Sequence, residues 1–201
     1  VFKGTIYLSM QLLFPLKKKI TITCDYSFIK AHCRKLYQDY KTLPEPKKEI
    51  QLINFLKDSL LPCWYGTKWD FYGTTEEPGK GTIACGYFVT TVLRDAGLLT
   101  QRTKLAQCAS EEMIKKVCDN PTIRRYSYVS INDFAKQIKD MGRGLYIVGL
   151  DYHTGFILND STESYFIHSS YIKPTCVVRE KANESIILAS SKYRVIGKVK
   201  W

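Results

Sequence analysis

The chain has 201 residues, 45% of them hydrophobic, which suits one packed domain with at most a small subdomain and excludes a disordered chain. A formal charge of +11 favours an acidic partner: nucleic acid, an anionic lipid surface or an acidic cell-wall polymer. The bases fall in short runs (Lys17-Lys18-Lys19, Lys47-Lys48, Lys115-Lys116, Arg124-Arg125) without interleaved aromatics, and zinc-finger and Walker spacings are absent, so no specific nucleic-acid partner is expected.

The chain begins on valine, and its native start is read as missing. Ile6 to Leu16 is apolar but too short to span a bilayer. It is read as an ordered strand or arm, with the remnant of a signal or anchor segment as the alternative. Ile20 to Thr23 is β-branched and predicts a short strand. Tyr26 to Lys41 carries Ile29, Leu36, Tyr37 and Tyr40 at helical spacing, and Pro44 and Pro46 end it. Pro46 opens a second helix with Ile50, Ile53, Leu56 and Leu60 on one face, stopped by Pro62. Trp64 to Lys80 is a loop rich in aromatics (Trp64, Tyr65, Trp69, Phe71, Tyr72), suited either to capping a core or to lining a cleft.

Gly79, Gly81 and Ala84 lead into a helix from Cys85, apolar at 85, 88, 89, 92, 93 and 96 and closed by Gly97. Ser110 and Ser130 start two further short helices. From Gly144 the pattern changes to strands: Leu145 to Leu150, His153 to Asn159, Ser164 to His168, Thr175 to Val178, Ile186 to Leu188 and Tyr193 to Val199. Helices first and strands afterwards predict an α+β domain with an antiparallel sheet.

Seven cysteines allow three disulfides and a free thiol in an oxidising compartment, or seven reduced thiols. No Cys-x-x-Cys occurs, and His32-Cys33 near Cys24 is too sparse for zinc, so neither a metal nor a cofactor is expected. Cys85 stands out because a helix N-terminus offers unpaired N–H groups and a positive dipole end, which favour thiolate. Asn159 to Thr162 reads as a turn, and a hairpin centred between Asp160 and Ser161 puts His153 directly opposite His168, roughly 5 Å apart at Cβ. A cysteine nucleophile needs such a base, and the base needs an orienting partner. His168 fits that place, with Asp151, Asn159 and Asp160 as alternatives. The Cys85 N–H and the Tyr72 hydroxyl could stabilise an oxyanion. Taken singly, Cys85 is a core residue and each histidine a structural one; the ordered conjunction points to chemistry.

These residues resemble the NlpC-type cell-wall cysteine peptidases of the papain-like superfamily. The resemblance spans about Leu60 to Tyr171 and rests on Tyr72-Gly73-Thr74, Ala84-Cys85-Gly86-Tyr87-Phe88-Val89, His153-Thr154-Gly155-Phe156-Ile157-Leu158 and Phe166-Ile167-His168-Ser169-Ser170. It implies a single papain-like domain over 1–201, with N-terminal helices packed on a C-terminal antiparallel sheet. Residues 1–62 lie outside the family pattern and 63–201 form the catalytic core. Cys85 is then the nucleophile, His153 the base and His168 its partner, with Tyr72, Trp64, Trp69 and Gly86 as substrate-binding or oxyanion residues. Ala84 stands where the family has an aspartate that holds the substrate's free amine, and Gly86 where it has serine.

The implied function is a thiol amidase or peptidase cutting amide bonds in peptidoglycan stem peptides or another peptide or isopeptide substrate. A periplasmic or extracellular monomer without a transmembrane span is expected. The alternatives are a superfamily acyltransferase using the same Cys/His pair, and a non-catalytic domain binding wall polymer or another polyanion.

Overall fold

The structure, a computed structural model, describes residues 25–40, 42–44, 46–98 and 101–201. The apolar segment Ile6 to Leu16 and the strand expected at Ile20 to Thr23 lie outside the described residues. Helix α1 (Tyr26–Tyr40) begins where the Asp25 carboxylate accepts the Phe28 N–H at 3.1 Å, one of the donors a helix start leaves unpaired. A buried polar knot ties it to α4 (Cys85–Asp95). Asp95, fully buried, accepts from Tyr26 Oη at 2.8 Å and Arg94 Nε at 3.0 Å, while Trp64 Nε1 donates to Tyr26 Oη at 2.9 Å. These partners compensate the cost of burying the carboxylate.

Helix α2 (Lys47–Phe55) continues through a π-turn (Leu56–Leu60) into α3 (Leu61–Trp64). Pro62 therefore lies inside helical structure instead of stopping it. The Leu61 N–H reaches back five residues to the Leu56 carbonyl, so the helix is already widened where the proline ring must fit. Leu52, Ile53, Leu56, Leu60 and Leu61 face inward, whereas Ile50 is exposed.

The class is α+β, as the order of elements implies. Among the described residues six strands form one antiparallel sheet: β1 (Arg124–Ser127), β2 (Gly144–Leu150), β3 (Thr154–Asn159), β4 (Ser164–Ser169), β5 (Val177–Lys181) and β6 (Tyr193–Lys198), in the order β1-β6-β2-β3-β4-β5. The central strands β2 and β3 are buried along their whole length, and each face has its own core. On one side Phe88, Val92 and Leu93 of α4 meet Ile147, Phe156 and Ile167, with α6 (Ser110–Val117) alongside. On the other, α7 (Ile131–Asp140) and α8 (Ile186–Ser190) place Phe134, Ile138, Ile187 and Leu188 against Val148, Ile157 and Phe166. The sheet is thus the middle of three layers.

Two further segments differ in kind from the sequence reading. Ile186 to Leu188, expected as a strand, is the start of α8: Ser185 Oγ accepts the Leu188 N–H at 3.2 Å, and Ile186 points to solvent. Arg124-Arg125, read only as a charge run, opens the edge strand β1, where exposed bases discourage pairing with another chain. Cys33, Cys85, Cys108, Cys118 and Cys176 are free thiols and Cys63 is disulfide-bonded, so neither a framework of three bridges nor a set of seven reduced thiols holds. Among the described residues no helix is long and apolar enough to cross a membrane.

Candidate active site

Helix α4 starts at Ala84, whose extended backbone brings no side-chain cap to the first turn. Backbone N–H groups at the helix start (Cys85, Gly86) and one at the start of β3 (Thr154) act as donors that lower the Cys85 thiol. Burial pushes the thiol up and these three donors pull it down, with the net result above the ordinary cysteine value. The helix start alone was expected to favour thiolate. In the fold, desolvation outweighs it, so the sulfur keeps its proton until a base removes it. Gly86 is buried beside it, and a Cβ there would run into the Ala106 carbonyl oxygen of the helix α5 (Arg102–Ala106). The absence of a side chain at 86 is what lets α5 close against α4.

His153 immediately precedes β3 and His168 lies on β4, both buried. Their pairing differs from direct opposition. The ladder joins Phe156 to Ile167 and Asn159 to Ser164, leaving a four-residue turn over 160–163. Asp160 builds that turn by accepting from the Thr162 N–H (3.2 Å), the Glu163 N–H (3.1 Å) and Thr162 Oγ1 (2.6 Å), which moves its centre one residue along the chain. The register shifts by two, so Gly155 sits against His168. A shift of two preserves the face. Because Gly155 has no side chain, His153 reaches diagonally across it, and His153 Nε2 lies 2.9 Å from His168 Nδ1 with ring planes at 88°.

Burial lowers the basicity of both rings. His153 falls to about 3, through desolvation first and the neighbouring His168 second; desolvation also lowers His168, against a raising contribution from Glu180. Both imidazoles are neutral at neutral pH, the state in which a ring can take up a proton. Cys85, Gly86, Cys108, His153, Thr154 and Tyr171 wall a cavity of about 910 Å³, large enough for part of a polymer substrate. The exposed rings of Tyr128 and Tyr152 also line it.

The other expected site residues divide. Gly86 is in the cavity wall. Trp69 is half-buried behind it, its ring 6.3 Å from that of Tyr171. Trp64 is wholly buried, edge-on to Tyr26 and Phe88, because its indole N–H is spent on Tyr26 and its ring fills the α1–α4 core. Tyr72 is 85% exposed, held out against Phe71 by a turn in which Asp70 accepts the Tyr72 N–H, and it is not in the cavity wall. Neither side chain lines the cavity that holds Cys85.

Of the possible partners for His153, Asp151 accepts from the Lys192 and Tyr193 N–H groups. Asn159 donates to the Ile138 and Gly142 carbonyls, and Asp160 is committed to its turn. His168 alone of the four meets the ring. Behind it stands a residue that sequence reasoning missed: Glu180 Oε1 lies 3.3 Å from His168 Nε2. Glu180 pairs with Phe166 across the β4–β5 ladder, one diagonal step from His168. Carrying the alternation of Val177-Val178-Arg179-Glu180 two residues past the expected strand end would have revealed it. Among the described residues no group of three or more His, Cys, Asp or Glu side chains is placed to hold a metal ion. No family model, curated protein or solved structure matches the chain.

Proposed function

We propose that this protein is a papain-like cysteine amidase or peptidase, NlpC-type in its motifs, that hydrolyses amide bonds in peptidoglycan stem peptides outside the cytoplasm. The observation that carries the reading is that His153, hydrogen-bonded to His168, lines the same cavity as a cysteine at a helix start. The net charge of +11 suits an anionic wall polymer.

In the reaction, Cys85 gives its thiol proton to His153 and the sulfur attacks the scissile carbonyl carbon. Backbone N–H groups at the start of α4 stabilise the resulting oxyanion. Collapse breaks the C–N bond as His153 returns the proton to the leaving amine. Water then attacks the thioester, His153 taking its proton and the departing sulfur recovering one, which frees the carboxylic acid and restores the thiol. His168 holds the His153 ring in place throughout. Ala84 offers no carboxylate for a substrate amine, so the scissile bond is not confined to peptides with a free N-terminal L-alanine.

Digestion of purified peptidoglycan, read by mass analysis of the soluble fragments, tests this. Wild-type protein releases peptide fragments whose masses identify the bond, and Cys85→Ala releases none while keeping its melting temperature. Peptidoglycan left intact by the wild type, or cut equally by Cys85→Ala, would overturn the reading.

A further inference from the structure

We infer that Glu180 is a positioning residue that sets which nitrogen of His153 is the base, an inference that rests on the hydrolase reading for its catalytic meaning. The argument is one of hydrogen inventory. A carboxylate only accepts hydrogen bonds, so the contact from Glu180 Oε1 to His168 Nε2 places a hydrogen on that nitrogen. A neutral imidazole carries one N–H, which leaves His168 Nδ1 bare. The 2.9 Å contact from His168 Nδ1 to His153 Nε2 then requires the hydrogen to sit on His153 Nε2. His153 Nδ1 is the nitrogen left with a free lone pair, the one able to take the Cys85 proton.

Without Glu180 the His–His contact has two solutions of similar quality. In the second, His168 Nδ1–H donates to His153 Nε2, and the hydrogen of His153 moves to Nδ1, where it blocks the base. One carboxylate thus decides between an active and an inactive arrangement of two rings, through a residue that does not itself meet the thiol.

The surroundings hold Glu180 in this place. Ser185 helps to hold the Glu180 carboxyl below its usual range, and the Ser185 oxygen accepts the Leu188 N–H at the start of α8. Burial pushes Glu180 up, yet the bonds from His168 and Ser185 outweigh it and keep the carboxylate ionised. Phe166 stacks on the His168 ring at 4.0 Å and 13°, which fixes the ring plane so that its two nitrogens point to His153 and Glu180. When His153 takes the thiol proton, its positive charge is stabilised through His168 by this carboxylate.

The test compares wild type with Glu180→Met, which keeps length but removes the acceptor, and Glu180→Gln, whose amide oxygen can restore it. Proton–nitrogen correlation spectra of protein labelled in histidine report the tautomer of each ring without any substrate. In wild type at neutral pH both rings are expected as the Nε2–H form; Glu180→Met loses that uniform assignment, and Glu180→Gln recovers it at least in part. Alkylation of Cys85 by iodoacetamide near pH 7 is expected to slow by about tenfold or more in Glu180→Met. Unchanged melting temperatures confirm that the comparison concerns positioning and not folding.

Wild-type rings in the Nδ1–H form, or tautomers and alkylation rates that Glu180→Met leaves unchanged, would overturn the inference. Should Glu180→Met not fold, Glu180→Ala takes its place with the same two readouts: the Nδ1–H form in its His168 and slowed alkylation support the role, and wild-type values in both overturn it. Peptidoglycan left uncut by wild type overturns the hydrolase reading, while the tautomer result still decides what Glu180 does.

Discussion

Gly155→Ala adds one methyl group at the point where β3 lets His153 and His168 meet. The new Cβ would stand 2.7 Å from His168 Cβ, 2.7 Å from Phe166 Cε2 and 2.9 Å from the Ile167 carbonyl oxygen, where ordinary contact begins at 3.4 Å. The two strands must separate by roughly 0.7 Å to relieve this, because His168 Cβ and the carbonyl cannot rotate away. Overpacking of this kind costs about 1–3 kcal/mol. At about 2 kcal/mol, a chain of this length loses roughly 4–8 °C in melting temperature. The separation also stretches the 2.9 Å His153–His168 contact, so activity at a temperature where the variant is folded falls by more than its stability explains. Urea and thermal denaturation followed by tryptophan fluorescence measure the first effect, and initial rates on peptidoglycan fragments the second. The stability loss persists in a His168→Ala background, since alanine retains the clashing Cβ. A melting temperature within about 1 °C of wild type with an unchanged urea slope would refute the close approach and with it the observed register.

Two further expectations concern the same residues. His153 and His168 titrate below the ordinary imidazole value in the fold, so the unfolded chain takes up their protons first. Stability is therefore full above about pH 6.5 and falls as the pH drops towards the folded values, with a slope approaching roughly 1.4 kcal/mol per pH unit for each ring. Urea denaturation between pH 7 and pH 5 measures this, and His153→Asn removes one share of the slope; a flat profile in the wild type would refute the burial of neutral rings. The aromatic residues before α4 separate by role: Trp64→Ala costs about 3–5 kcal/mol by emptying the core and removing the indole N–H that Tyr26 Oη accepts, while Tyr72→Phe leaves both melting temperature and turnover unchanged. A large loss of turnover in Tyr72→Phe would restore its hydroxyl to the chemistry.

What the sequence determined by itself is local. The apolar stripe and the closing Gly97 specify α4 and put Cys85 at its start: Phe88, Val89, Val92, Leu93 and Ala96 all face the core, and Gly97 adopts φ +92° with the Leu98 N–H on the Leu93 carbonyl. The period of two along Thr154 to Ser169 determines that both histidines share a face, which survived an error of two in register because such a slip changes partners and not sides. Tertiary structure decided the rest. Whether Trp64 or Tyr72 turned inward depended on α1, which is distant in sequence and offers Tyr26 as a partner to the indole. The protonation of Cys85 depended on desolvation by the sheet, a quantity no helix start contains. Glu180 came within reach of His168 only through the β4–β5 ladder, because pairing between strands brings together residues that periodicity along one strand cannot relate.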